Sequence, residues 1–254
     1  FEMFTEFPKQ VNWDNVDKLI VVSDSFKFFV THQTRCPAEK IEVFPQFIEA
    51  RHLDRPKLPQ AAYTIGMVGI NPFFHKRFDR AIDFFEKLCL KDERFRLRVR
   101  SVMPWNIAWL WEGEKRRSER THYEELFARI MQNRMLKDRI IFDEPGSDME
   151  EWYREIGYIL SSSDSEGCHT SVLEGMASGC RPIVFAWPGA DTLFPEEHVY
   201  GDLDDAIALL LADRDGQVED DEKAKLKKFV ANYDTEKFME FATRQLLGVQ
   251  KNGG

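Results

Sequence analysis

The sequence lacks any uninterrupted apolar run near the ~18 residues that a bilayer-crossing helix needs, which excludes a helical span. It shows no basic, apolar and cleavage-site pattern at its start, so no secretory leader is expected. The first residue is Phe1, the chain reads as starting inside an element, and an N-terminal portion is expected to precede it. Cysteine is sparse. Cys36, Cys89, Cys168 and Cys180 form neither a CxxC pair nor a metal-ligand spacing, which fits reduced thiols and a cytoplasmic location. Positive charge is also short, because 35 Lys and Arg against 44 Asp and Glu leave a formal charge of −9. That balance argues against a nonspecific grip on nucleic acid or anionic lipid. Two basic clusters survive it, Lys76-Arg77 and Lys115-Arg116-Arg117, and the second reads as solvated surface. No Asp-x-Asp pair falls in a strand-end loop, so no catalytic metal is expected.

What is present is an alternation of strand and helix signals. Apolar runs at 17–23, 40–46, 63–69, 139–142 and 158–160 read as strands, as do the apolar run that follows Gly179 and the period-two segment "RLRVRSV" at 96–102. Between them, Phe78, Ile82, Phe85 and Leu88 recur at helical spacing, 122–136, 147–157 and 203–212 read as helices, and 221–247 reads as helical segments joined at "NYD". Segment 51–62 carries two prolines, several charges and no period, and is the expected linker. Strands separated by helices of ~10–15 residues imply an α/β fold, a Rossmann-like parallel sheet flanked by helices. Such sheets bind ligands beyond the carboxyl ends of their strands. Attention therefore falls on the loops at Gly69, Asp143, Ser163 and Trp187.

The loop after 158–160 reads "SSSDSEGCHTSVLEGMASGCRPIVFA". It delivers Gly167 and small or polar residues into a helix start whose bare N–H groups and dipole favour a phosphate or diphosphate. Glu166 and Glu174 bracket that start and would repel an anion unless they bind something else. Sugar hydroxyls fit, because a carboxylate accepts two hydroxyl hydrogen bonds well. For Glu174 there is also a plain alternative, since Ser171 and Glu174 form the S-x-x-E pattern of a capping box. Glu166, taken alone, reads as an exposed loop acid.

The stretch "SEGCHTSVLEGMASGCRPIV" resembles the E-x7-E signature of retaining glycosyltransferases of the family 4 type, which have the two-domain B fold. The likeness extends from the two acids to Gly167, Leu173, Met176, Ala177, Gly179 and Pro182. It implies that 56–254 is the C-terminal nucleotide-sugar-binding domain with C-terminal helices. It also implies that 1–55 is a remnant of the N-terminal acceptor domain plus the interdomain linker, most of that domain being absent. It implies Glu166 at the donor sugar's hydroxyls, Glu174 at the ribose hydroxyls, and the backbone of Gly167, Cys168, His169, Thr170 and Ser171 along the sugar and diphosphate. Lys76, in the loop opened by Gly69, matches the lysine that neutralises the leaving diphosphate. The family's arginine after that Gly is replaced by Ile70, with Arg77 as a substitute cation.

The activity so implied is transfer of a sugar, with retention, from a nucleotide-diphosphate donor to an acceptor hydroxyl, in glycan or polysaccharide synthesis. No cofactor or metal is called for, the nucleotide-sugar being a substrate. The partner on the other side is a glycan or lipid-linked acceptor, with peripheral membrane contact left open and no nucleic acid. Two other readings stand beside it, a non-catalytic nucleotide-sugar-binding or interaction module and a nucleotide-sugar epimerase.

Overall fold

The computed structural model describes residues 6–70, 74–213 and 218–247. The chain opens with a small parallel pair, β1 (Leu19–Val21) and β2 (Ile41–Val43), joined through helix α1 (Asp24–Gln33). Ser23 starts α1 by accepting a hydrogen bond from the Phe26 N–H at 3.2 Å, which satisfies one orphan donor of the first turn. Val21, Val30, Cys36 and Ile41 form this unit's own small core.

The rest of the chain builds a six-stranded sheet from β3 (Thr64–Val68), β4 (Arg96–Arg100), β5 (Ile140–Asp143), β6 (Tyr158–Ser161), β7 (Arg181–Phe185) and β8 (Val199–Tyr200). Their order is β5-β4-β3-β6-β7-β8 and every pairing is parallel. The sequence order runs outward in one direction from β3 and in the other from β6. Loops leaving those two neighbours therefore diverge, and a crevice opens between them.

Helices cover both faces. Helices α2 (Phe78–Lys91), α3 (Arg117–Gln132) and α5 (Leu203–Ala212) pack one core with Leu97, Val99 and Phe185. Helices α4 (Thr170–Ala177) and α6 (Asp220–Val230) pack the other with Trp152, Tyr153, Ile156 and Ile159. Central strands buried on both faces explain why β6 and β7 read as unbroken apolar runs. β4 differs, because Leu97 and Val99 enter the first core while Arg98 and Arg100 alternate to the opposite side. Two glycines set the spacing of the second layer. A Cβ on Gly175 of α4 would lie 2.7 Å from Ile159 of β6, and one on Gly66 of β3 would lie 2.7 Å from Ile156.

Several expected boundaries move. The expected linker holds a helical turn at Ala50–Leu53 and a 3-10 turn at Pro59–Tyr63, and Lys57 within it is bonded to the body of the protein, so the segment is packed rather than free. The helix expected over 147–157 is a single turn, Met149–Trp152, followed by a 3-10 turn. The one expected over 122–136 starts earlier, at Arg117, and breaks at Asn133, whose side chain caps a second short helix, Arg134–Lys137. The last helical region divides where a joint was expected, at Asn232-Tyr233-Asp234, into α6 and α7 (Thr235–Leu247). Between them Asp234 pairs with Ile48, and Phe238 and Phe241 of α7 contact Phe44 and Phe47. The C-terminal helix thus packs on the segment that follows the N-terminal unit.

Gly175→Ala should lower stability by about 1–3 kcal/mol through overpacking against Ile159. The check is a lower urea midpoint at unchanged slope, with Gly201→Ala, whose added Cβ meets only open space, as the neutral control.

Candidate active site

Two loops meet where the strand order reverses. The first leaves β3 at Gly69, which takes φ +76, a left-handed conformation that costs glycine nothing. Its N–H donates to the Arg100 carbonyl at 3.0 Å, fastening the turn to β4. Ile70 follows, fully buried in the first core. Its N–H donates to Ser101 Oγ at 3.1 Å and its carbonyl accepts from the Tyr123 hydroxyl at 2.5 Å. The loop ends in a 3-10 turn, Phe74–Lys76, and in Arg77 at φ +47, the one non-glycine residue with positive φ among those described.

The second loop leaves β6 and is stitched to the first. Ser162 Oγ donates to the Lys76 carbonyl at 2.9 Å, and the Asp164 N–H donates to the His75 carbonyl at 2.8 Å. Lys76 Nζ then reaches Glu166 Oε1 at 2.7 Å, and Ser163 Oγ donates to the same oxygen at 2.5 Å. Lys76 and Glu166, 90 positions apart in sequence, are 15% and 11% exposed, so their charges are only partly screened. Burial pushes the Glu166 carboxyl up, but His169, Lys76 and the hydrogen bonds from Lys76 and Ser163 outweigh it and hold the pKa below its ordinary value.

His169 is buried beside them, with Nδ1 2.8 Å from Ser161 Oγ and 3.8 Å from Glu166 Oε1. Burial drives its pKa down to about 4 against the pull of Glu166, so the imidazole is neutral at pH 7. Its buried Nε2 has no hydrogen-bond partner among the described residues. Arg77 does not act as a loose second cation. Its guanidinium bonds Asp79 at 2.9–3.2 Å and Asp164 at 3.0–3.1 Å, and those two carboxylates more than cancel its charge.

Helix α4 begins at Thr170 with His169 at the N-cap, and no side chain caps it. Ser171 lies inside the first turn, so the capping box with Glu174 does not form. Glu174 instead faces the buried Tyr153, whose hydroxyl is 3.1 Å from Glu174 Oε2 and 2.9 Å from the Ser171 carbonyl. Burial raises the Glu174 pKa and the Tyr153 hydrogen bond partly offsets it; no cation bonds this carboxylate among the described residues.

Around Tyr153, the segment after β5 is clamped to the end of β4. Arg98 bonds Asp143 with two contacts of 2.8 Å, the Trp152 indole N–H donates to Asp143 at 2.8 Å, and Arg100 pairs with Asp148. Sequence reasoning passed over Arg100 and Tyr153. The polar members of "RLRVR" carried a signal, since a strand with one apolar face must send its arginines to the other.

The N-terminal unit closes on the same loops. A Cβ on Gly167 would come within 3.3 Å of Val22 and 3.9 Å of Phe26, and one on Gly189 would collide with Ser25. Cys168 is a protonated thiol, its pKa pushed up to about 11 by burial. Trp187 is buried in the second core and packs rather than offering a sugar platform. Among the described residues, no group of three His, Cys, Asp or Glu side chains is arranged to hold a metal.

No protein-family model and no curated protein matches the sequence. Solved structures match the fold. Anabaena Alr3699/HepE in complex with UDP aligns at TM-score 0.74 and 11% identity, over 97% of this chain and 70% of that one. TarM aligns at TM-score 0.68 and 16% identity, over 92% of this chain and 44% of that one. The pneumococcal O-GlcNAc transferase GtfA in complex with UDP and GlcNAc aligns at 0.65 and 16%, over 96% and 46%. The chain has the parallel, helix-flanked fold of these B-type glycosyltransferases. It spans less than half the length of TarM and GtfA.

Because folded His169 resists protonation until about pH 4 while an unfolded histidine titrates near 6.5, the unfolded chain binds more protons between those values. The stability that this histidine contributes is complete above pH ~6.5 and falls as pH drops toward 4, at up to about 1.4 kcal/mol per pH unit. Urea midpoints measured from pH 7 to 4.5 should fall less steeply in His169→Gln than in the parent protein.

Proposed function

We propose that the chain is the donor-binding part of a retaining glycosyltransferase of the family 4 type, with Glu166 and Glu174 as its E-x7-E pair. On this reading it moves a sugar from a nucleotide diphosphate to an acceptor hydroxyl in glycan or polysaccharide synthesis. One observation carries the reading. The 2.7 Å contact between Lys76 and Glu166 stands at the strand-order reversal, immediately before the uncapped N-terminus of α4. A cation and the positive end of a helix suit a diphosphate, and the carboxylate beside them suits hydroxyl groups. Glycosyltransferase folds solved with UDP, or with UDP and a sugar, support a nucleotide-sugar donor.

The chemistry follows from that placement. The bond between the anomeric carbon and the diphosphate oxygen breaks, the oxygen keeps the electron pair, and the acceptor oxygen bonds to the same carbon from the same face while its proton passes to the departing diphosphate. Lys76 and the positive end of α4 at Thr170 and Ser171 stabilise the charge on the departing diphosphate, each such contact contributing about 2–4 kcal/mol in the transition state. The diphosphate takes Glu166's place as the partner of Lys76, and Glu166 turns to the sugar's hydroxyls. The carboxylate of Glu174, oriented by Tyr153, accepts from the ribose hydroxyls, and those donors favour its ionised form. Gly69 lets the first loop pass close to the diphosphate, and the backbone of Gly167, Cys168 and His169 lines the sugar.

Neither metal nor cofactor enters this scheme. In it residues 1–55 belong to the acceptor side and 56–254 to the donor side. A glycan or lipid-linked acceptor, peripheral membrane contact and a cytoplasmic location complete the proposal. Ile70 in the core and Arg77 neutralised by two carboxylates favour one further reading, a nucleotide-sugar-binding module without turnover.

Calorimetric titration tests the assignment. Lys76→Ala should weaken UDP by about 10- to 100-fold, one to two steps of ~1.4 kcal/mol, while changing uridine affinity little. Equal losses for both ligands would remove the phosphate role. Glu174→Ala should weaken both ligands while leaving the urea midpoint nearly unchanged, since the structure gives Glu174 no capping role. Unaltered affinity there would end the ribose assignment. Sugar transfer or donor hydrolysis by the protein separates enzyme from binder.

A further inference from the structure

At the pole opposite the crevice, beside the starts of β3, β6 and β7, lies a cavity of about 710 Å³. Small-molecule sites commonly enclose ~300–1,000 Å³. One wall is the packed segment expected as a linker, with Asp54, Arg55, Lys57 and Leu58, and the other is α6 with Lys223 and Lys227. Lys57 projects inward from the first wall. Its ammonium donates to the Tyr153 carbonyl at 2.8 Å, to Ser178 Oγ at 2.5 Å and to Cys180 Sγ at 3.0 Å, and none of these is a carboxylate.

The surrounding charges do not balance it. Burial lowers the pKa of Lys57, Cys180 opposes that shift, and the nearby Lys227 and Lys223 add to it, so Lys57 feels the positive charge of both. Lys223 pairs with Asp220, which is 97% exposed, and Lys227 with Asp54, which is 52% exposed; pairs so open to water hold little. Arg55 is engaged by Glu150 and Glu151. Three lysines thus border one cavity, and among the described residues that line it the only carboxylate is Asp54. Like charges around a poorly solvated recess repel strongly unless an anion joins them.

We propose that this cavity is a second ligand site, which takes inorganic phosphate or a small phosphate monoester between Lys223 and Lys227, with Lys57, whose three N–H donors stay on Tyr153, Ser178 and Cys180, adding positive charge behind it. Bound there, the anion ties segment 54–59 to α6 and to the turn at Ser178-Gly179. It thereby fixes the path by which the N-terminal unit joins the sheet. The site does not depend on how the crevice is read.

The test is an NMR titration of the 254-residue protein, with inorganic phosphate in one arm and glycerol 3-phosphate in the other. Saturable shifts at Ser178, Gly179 and Lys57 are expected in at least one arm, and the tighter arm names the source. Lys223→Ala with Lys227→Ala should weaken that binding at least about tenfold, and Lys57→Met should act alike, while Lys76→Ala leaves it unchanged. The double variant removes only partly exposed side chains, so it serves even if Lys57→Met fails to fold. UDP affinity should persist in the double variant, which keeps this result separate from that of the crevice. No saturable shift at these residues in either arm overturns the proposal, as does phosphate binding that vanishes with Lys76→Ala and survives the double substitution.

Discussion

The contact between Lys76 and Glu166 joins two loops that sequence keeps 90 positions apart, and much of the crevice is organised around it. A partly buried ion pair pays for its desolvation only when further hydrogen bonds complete it. Here Ser163 adds one to the carboxylate, and Ser162 anchors the lysine's own backbone. The pair also leaves each charge able to change partner. On the proposed reading, a phosphate at Lys76 would loosen Glu166, and a hydroxyl at Glu166 would loosen Lys76. Each half of a ligand carrying both groups prepares the place of the other.

That contact exists because of the sheet. With β3 and β6 adjacent and their onward connections running in opposite directions, both loops start from the same edge and neither covers the other. Gly66 and Gly175 let the second layer lie close against the strands, which brings α4 and Tyr153 up to the sheet's end. The N-terminal unit then leans on Gly167 and Gly189, where larger side chains would strike Val22 or Ser25.

Cations are distributed unevenly in a chain whose formal charge is −9. Many arginines serve structure. Arg98 holds Asp143, Arg77 holds Asp79 and Asp164, and Arg181 meets Asp213. Their flat guanidinium groups bind carboxylates with two contacts and stay engaged. In the two proposed sites the cations are lysines, Lys76 at one pole of the sheet and Lys57, Lys223 and Lys227 at the other. The ammonium group, a compact charge on a flexible stem, fits that use.

The strands and the fold class were legible because burial on both faces writes itself as continuous apolar runs, as in β6 and β7. The candidates Glu166 and Glu174 were picked out by the small-residue pattern around them, and the structure sets Glu166 against Lys76 and Glu174 against Tyr153. Other features were decided elsewhere. Sequence offered Ser171 as a cap for α4, yet the helix starts one residue before it and Glu174 turns to Tyr153, a partner 21 positions away. Arg77 reads as a spare cation until Asp164 arrives from another loop. Segment 51–62 reads as a tether until Lys57 finds Ser178 and Cys180. Local sequence determines what a segment buries and how it turns, because those depend on neighbours along the chain. Which charge meets which carboxylate depends on contacts tens of residues away, and only the folded sheet sets them.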